Sequence, residues 1–179
     1  MGNPTQVMDV QSLQLSNESK HYSDCCLGIS QPLIDKIIAL LPHKPGLVLS
    51  IGCGSGLFEA VLIQHAQDKI DLVGVEVSST VDKYLGEQNI IIADGTWALH
   101  EKAQSAAAWM FVYPREPKLL AKYIDTYASE DLKVVMWLGP RNDWPDYADV
   151  FEQYQMFHVQ MIEDCGLAGY EIMAVAAKR

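Results

Sequence analysis

Positive charge is scarce in this chain. Thirteen Lys and Arg stand against twenty-three Asp and Glu, for a formal net charge of −10. The basic residues are scattered, with no run or stripe that could neutralise a phosphate backbone or an anionic lipid surface. The composition therefore argues against nucleic acid and membrane partners and leaves a small neutral or cationic ligand open. Cysteine is sparse too. Cys25, Cys26, Cys53 and Cys165 form no CxxC and have no histidine at metal-ligand spacing. They read as reduced thiols of a cytoplasmic protein, with no metal site and no disulfide framework. No apolar run approaches the roughly 20 residues needed to span a bilayer. The first twenty residues lack the basic and apolar regions of a secretory signal. Gly2 lacks the Ser or Thr at position 6 that acylation would need, since Gln stands there. Without a signal, the sequon Asn17-Glu18-Ser19 reads as chance.

What is present is a regular alternation. Residues 1–29 read as an N-terminal arm or lid, polar and aperiodic over 1–20, and 30–179 as one domain. Ser30-Gln31-Pro32 opens a helix, with Leu33, Ile34, Ile37, Ile38 and Leu41 on one stripe. Strands are expected at 47–51, 70–77, 89–94, 107–113, 132–139 and 170–178. Helices are expected at 57–66, 79–87, 96–104 and 117–128. A long one is expected over 145–165, where Tyr147, Val150, Phe151, Tyr154, Phe157 and Met161 recur at spacings of three and four. Apolar strands alternating with helices predict an α/β three-layer sandwich, its mostly parallel sheet covered on both faces.

The stretch VLSIGCGSGLFEAVL (48–62) is the most informative. Gly52, Gly54 and Gly56 lie in the first strand–turn–helix. In an open α/β sheet that turn sits beside the ligand crevice, and glycine lets backbone approach closely. The spacing is G-x-G-x-G, with Leu57 where a dinucleotide fingerprint would have its third glycine, and no Lys-Ser/Thr follows as in a P-loop. Glu76 ends the second strand about twenty residues on, where a carboxylate can accept hydrogen bonds from a ribose diol.

VLSIGCGSG, then VGVEV, then IIADGT resembles the Rossmann-like, seven-stranded, class I S-adenosylmethionine-dependent methyltransferases, over most of 30–165. The resemblance implies S-adenosyl-L-methionine as cofactor. Ser50, Gly52, Cys53, Gly54 and Gly56 would then face its methionine part. Glu76 and Val77 would bind the ribose, and Asp94, Gly95 and Thr96 would line the adenine slot. Trp97 would stack on the base or fill the core, and Tyr22 would cover the methionine end or anchor a surface loop. The family usually has an acid where Ser50 stands. Glu59 is the nearest substitute, although it lies one turn into the helix, where it can face solvent. The end of the chain looks short for the family's C-terminal hairpin, which suggests six strands or a hairpin reduced to a tight turn.

On the acceptor side, FVYPREP (111–117) follows the fourth strand. Tyr113 can bind a nucleophile. Arg115 can clamp a carboxylate or simply pair with an acid. His21 is a candidate base, and His158 reads as a packed histidine. Trp144 and Tyr147 can border a substrate mouth or staple the long helix. The leading expectation is methyl transfer to a small molecule rather than nucleic acid. The rivals are a methyltransferase-like protein without methyl transfer and, disfavoured by Leu57, a nicotinamide-dependent oxidoreductase.

Overall fold

A computed structural model describes residues 7–179. The first six residues of the arm, with the Gly2 considered for acylation, lie outside the described residues. A short antiparallel hairpin comes first, β1 (Lys20–Tyr22) and β2 (Cys25–Ile29). Then follow α1 (Gln31–Leu40), β3 (Leu47–Ile51), α2 (Leu57–Ala66), β4 (Asp71–Glu76), β5 (Ile90–Ile92) and β6 (Ala108–Val112). The chain continues through α3 (Pro117–Tyr127), β7 (Val134–Pro140), α4 (Trp144–Glu152), β8 (Phe157–Ile162) and β9 (Glu171–Lys178).

Seven strands form one sheet in the order β5-β4-β3-β6-β7-β9-β8. Only β9 runs against the others, since it is antiparallel to both β7 and β8. Side chains on successive strand residues point to opposite faces, which splits the interior in two. Leu49, Ile51, Phe111 and Trp137 pack with α3 and α4 on one face. Val48, Met110, Met136 and Met173 pack with α1, α2 and the hairpin on the other. Leu27 and Ile29 of β2 are wholly buried in this second core.

Three expected elements differ. The long helix over 145–165 stops at Glu152, and 157–162 is a strand. Phe157, Val159 and Met161 alternate with His158 and Gln160, a period of two. The four-residue gap between Phe157 and Met161 imitated a helical face only by continuing the register of α4 across the break at 153–156. β9 supplies the decisive term, because β8 pairs with it along its whole length. The C-terminal hairpin is therefore complete, the sheet has seven strands rather than six, and His158 is exposed rather than packed. Residues 79–87 form turns, not a helix. The Asp82 carboxylate accepts from the backbone N–H of Tyr84 and Leu85, and the N–H groups of Lys83 and Tyr84 go to the Ser55 carbonyl. These bonds compete with a helical ladder. Residues 96–104 contain only a short 3-10 segment, Glu101–Ser105.

The start of α1 is as expected. Ser30 Oγ accepts from Leu33 N–H at 3.2 Å and donates to the Gly166 carbonyl at 2.7 Å. Replacing Ser30 with Ala removes a cap and leaves a half-buried carbonyl without its partner. We expect urea unfolding to show a loss of about 1–2 kcal/mol.

Candidate functional site

The chain leaves β3 for β4 on one side of the sheet and later returns to β6 on its other side. Strand order reverses there, which opens a crevice beyond the carboxyl ends of β3 and β6. The glycine turn lies in it. Gly52, Gly54 and Gly56 all have positive φ, at 70°, 57° and 79°, a conformation that glycine adopts without a Cβ penalty. A Cβ at Gly52 or Gly54 would meet nothing within 4 Å. The turn therefore presents bare backbone to open space. At Gly56, the N-cap of α2, a Cβ would stand 2.7 Å from Leu85 Cγ and 2.8 Å from Asp82 Oδ1, so that glycine serves packing.

Glu76 ends β4 beside this turn. Its carboxylate accepts from Gly54 N–H at 3.0 Å and from Val77 N–H at 2.8 Å. Two bonds leave lone pairs of the carboxylate free. Cys53 is directed elsewhere. A Cβ on Gly74 would come 2.6 Å from its Sγ, so the thiol packs on β4 and only the Cys53 backbone belongs to the turn.

Behind the turn, Ser50 points to the α2 face and is 0% exposed. Its hydroxyl donates to Glu59 Oε1 at 2.5 Å. Glu59 is 2% exposed, so this acid faces inward, not to solvent, and fills the position beside Ser50 where a strand acid is absent. Burial pushes its carboxyl up to about 7, against the Ser50 hydrogen bond, and nearby Asp82 and Glu76 add to the rise.

Asp94, Gly95 and Thr96 follow β5 on exposed backbone, and Gly95 has φ 90° with open space where its Cβ would stand. Trp97 is half-buried and does not fill a core; the Lys122 ammonium lies 5.2 Å over its ring. The hairpin seals the other flank. The Asp24 carbonyl accepts from Ser55 Oγ at 2.6 Å, and the Asp24 carboxylate holds Lys83 at 2.9 Å and the Tyr84 hydroxyl at 2.6 Å. Tyr22, one strand end away, is half-buried against the second core.

Tyr113 follows β6 with φ 49°. Its hydroxyl donates to Glu171 Oε1 at 2.7 Å, and burial with this neighbour raises its ionisation far above the usual phenol range. Arg115 is exposed and joins no ion pair among the described residues. Tyr147 is buried and donates to the Pro114 carbonyl at 2.7 Å, and the Trp144 ring lies 5.2 Å from Trp137 at a 52° tilt, so both staple α4.

Sequence reasoning missed Glu171. It heads β9 and is 2% exposed, on the face of α1 and the hairpin. A single carboxylate in an otherwise apolar strand was the available signal, because buried charge needs partners. A groove of about 470 Å³ between α4 and β8 lies at the far edge of the sheet from β4 and β5, outside this crevice.

No family model and no curated protein matches the chain. Solved structures do. A SAM-dependent methyltransferase from Aquifex aeolicus superposes with a TM-score of 0.59 at 13% identity, covering 83% of this chain and 92% of that one. The precorrin-6y C5,15-methyltransferase of Geobacter metallireducens gives 0.61 at 10% identity, covering 93% and 100%. A protein of Methanobacterium thermoautotrophicum named precorrin 8W decarboxylase gives 0.61 at 11%, with the same coverage. With its strand order, reversed ninth strand and open glycine turn, the chain has the Rossmann-like fold of the S-adenosylmethionine-dependent methyltransferases.

Proposed function

We propose that the chain is an S-adenosylmethionine-dependent methyltransferase acting on a small molecule, through the domain over 30–179 with the preceding hairpin as its cover. The observation that carries this reading is the bare-backbone turn at Gly52 and Gly54 with the Glu76 carboxylate anchored beside it. That arrangement suits an adenosine-bearing ligand. Glu76 keeps lone pairs for a ribose diol, while Val77 N–H fixes its orientation. Asp94, Gly95 and Thr96 border the adenine side. Gly52, Cys53 and Gly54 offer backbone to the amino-acid side, with Gly56 setting the helix behind them. Glu59, steadied by Ser50, supplies the negative charge for an ammonium. Tyr22 closes over that end. Tyr113 and Arg115 stand on the acceptor side.

When bound, the donor brings a methyl group on a positively charged sulfur, with a neutral thioether as leaving group. The protein's part is to align the acceptor with that methyl and to exclude water. The net charge of −10 supports a small, neutral or cationic acceptor over nucleic acid.

Calorimetric titration with S-adenosylmethionine, S-adenosylhomocysteine and NAD tests the reading. Heat with the two adenosyl ligands and none with NAD is expected; the reverse would overturn it. Glu76→Ala is expected to weaken adenosyl binding by about 1–3 kcal/mol, the cost of leaving polar partners unpaired. An unchanged affinity would remove Glu76 from the site.

A further inference from the structure

A second group of polar side chains gathers around Glu171, at the carboxyl edge of the sheet where β9 pairs with the end of β7. Glu171 accepts from Gly28 N–H through Oε1 at 3.2 Å and Oε2 at 3.3 Å, and from Tyr113 at 2.7 Å. His21 Nε2 lies 3.0 Å from the same Oε1. The Tyr170 hydroxyl lies 2.8 Å from that nitrogen, and the two rings stack 5.7 Å apart at 18°. The imidazole fits because residue 28 is glycine. A Cβ there would stand 2.8 Å from His21 Cε1 and 3.1 Å from Nε2.

This network sets the tautomer. A carboxylate only accepts, so its contact with Nε2 assigns the hydrogen to that nitrogen, and the Tyr170 hydroxyl, 2.8 Å from the same nitrogen, then does not donate to it. The lone pair then sits on Nδ1, to which no described residue donates. The side chain is 37% exposed, whereas Glu171 is fully covered. The titratable groups around it are Glu171 and Tyr170 from β9 and its approach, Tyr113 after β6, and Cys26 in the hairpin, close to Tyr113. Lys20, its chain neighbour, turns its ammonium over the Tyr22 ring, 5.3 Å from the centroid. Tyr113 cannot serve as a base, since burial and Glu171 keep it protonated. The hairpin that carries His21 also touches the glycine turn, through Asp24 and Ser55. One element thus joins the Glu171 cluster to the crevice.

We propose that His21, held by Glu171 and seated on Gly28, accepts the proton of the methyl acceptor, and that this acceptor is a small molecule whose reacting oxygen or nitrogen carries a hydrogen. The proposal rests on the methyl-transfer reading and adds the acceptor's chemical class and its base. The acceptor's lone pair forms the new bond to the methyl carbon of a sulfonium donor. The carbon–sulfur pair returns to sulfur, which becomes a neutral thioether, and the proton passes to Nδ1. Glu171 is the positioning residue and stabilises the imidazolium that results. Tyr170 flanks the ring.

Two measurements test this, and the first needs no turnover. Nitrogen NMR of the histidine rings in the ligand-free protein reads the tautomer directly. Of five histidines, the ring whose signals vanish in His21→Gln is expected to carry hydrogen on Nε2, and Glu171→Leu, which removes the acceptor, is expected to abolish that preference. Hydrogen on Nδ1 in the wild type would overturn the proposal. The second follows a labelled methyl from S-adenosylmethionine into a small-molecule cell extract. His21→Gln is expected to slow transfer by about a hundredfold or more, while S-adenosylhomocysteine binds with unchanged affinity in calorimetry. His21→Asn, too short to reach Glu171, is expected to do the same. An unchanged rate, or label found on carbon or on a thioether sulfur, would overturn the proposal. A wild type that binds S-adenosylhomocysteine and labels nothing would instead overturn the methyl-transfer reading, and the tautomer measurement tells the two failures apart.

Discussion

Exchanging Glu59 for Gln is expected to free the ligand-free protein of a pH-dependent instability between about pH 4 and pH 8. The Glu59 carboxyl ordinarily ionises near 4.5 and is pushed up to about 7 in the fold, first by burial. A raised carboxyl means that folding takes up a proton between those two values. Stability is then fully present below pH 4.5, falls as pH rises and levels off above pH 7, a loss of about 3 kcal/mol. Gln keeps a partner for the Ser50 hydroxyl, which donates to Glu59 at 2.5 Å, and it does not titrate. The stability gap between Glu59→Gln and wild type should therefore widen, in favour of the variant, by about 3 kcal/mol between pH 4 and pH 8. For a chain of this size, that is about 6–12 °C in Tm. Urea or thermal unfolding across this range checks it, and parallel curves would show that Glu59 does not titrate with folding. The gain in stability has a functional cost under the proposed reading. An ammonium facing Glu59 favours the charged carboxylate, so S-adenosylhomocysteine affinity in wild type should fall about tenfold per pH unit below 7. In Glu59→Gln that slope should vanish and affinity at pH 8 should drop.

A second large effect separates two glycines two residues apart. Gly54→Ala places its methyl in open space at φ 57°. The left-handed backbone costs only about 1–2 kcal/mol of stability, but the methyl occupies the space offered to a ligand. Gly56→Ala drives its methyl into Leu85 and Asp82, at 2.7 and 2.8 Å, and unsettles the start of α2. A cost of about 2–4 kcal/mol is expected there from strain and overpacking together. Denaturant unfolding and calorimetric titration, run on both variants, should therefore show opposite patterns. Gly54→Ala should fold well and bind adenosyl ligands at least tenfold more weakly, whereas Gly56→Ala should be the less stable. Equal binding by Gly54→Ala and wild type would mean that nothing docks on the turn.

The hairpin between β1 and β2 shows where local reading stops. Residues 20–29 are short, polar in part and carry no long periodicity. Their strands form because Leu27 and Ile29 are buried beneath α1 and α2, and because Asp24 is claimed by Ser55, Lys83 and Tyr84. The Asp24 partners lie 31, 59 and 60 residues further along the chain. Residues 79–87 fail as a helix partly for the same reason: the N–H groups of Lys83 and Tyr84 go to the distant Ser55 carbonyl, while the local Asp82 carboxylate claims Tyr84 and Leu85. β8 is a further case, since its pairing energy comes from β9, a strand that follows it.

Composition and pattern by themselves determined the alternating α/β architecture, the glycine turn, the acid at the end of the second strand and the acidic balance of the chain. All of these arise from period, spacing and charge along a few neighbouring residues. The tertiary structure alone decided that Glu59 turns inward to Ser50, that the last two strands complete a seven-stranded sheet, and that His21 and Glu171 meet across 150 residues. Burial and long-range pairing are properties of the packed chain. A carboxylate reads the same in sequence whether water or a backbone amide will hold it, and only the fold chooses between them.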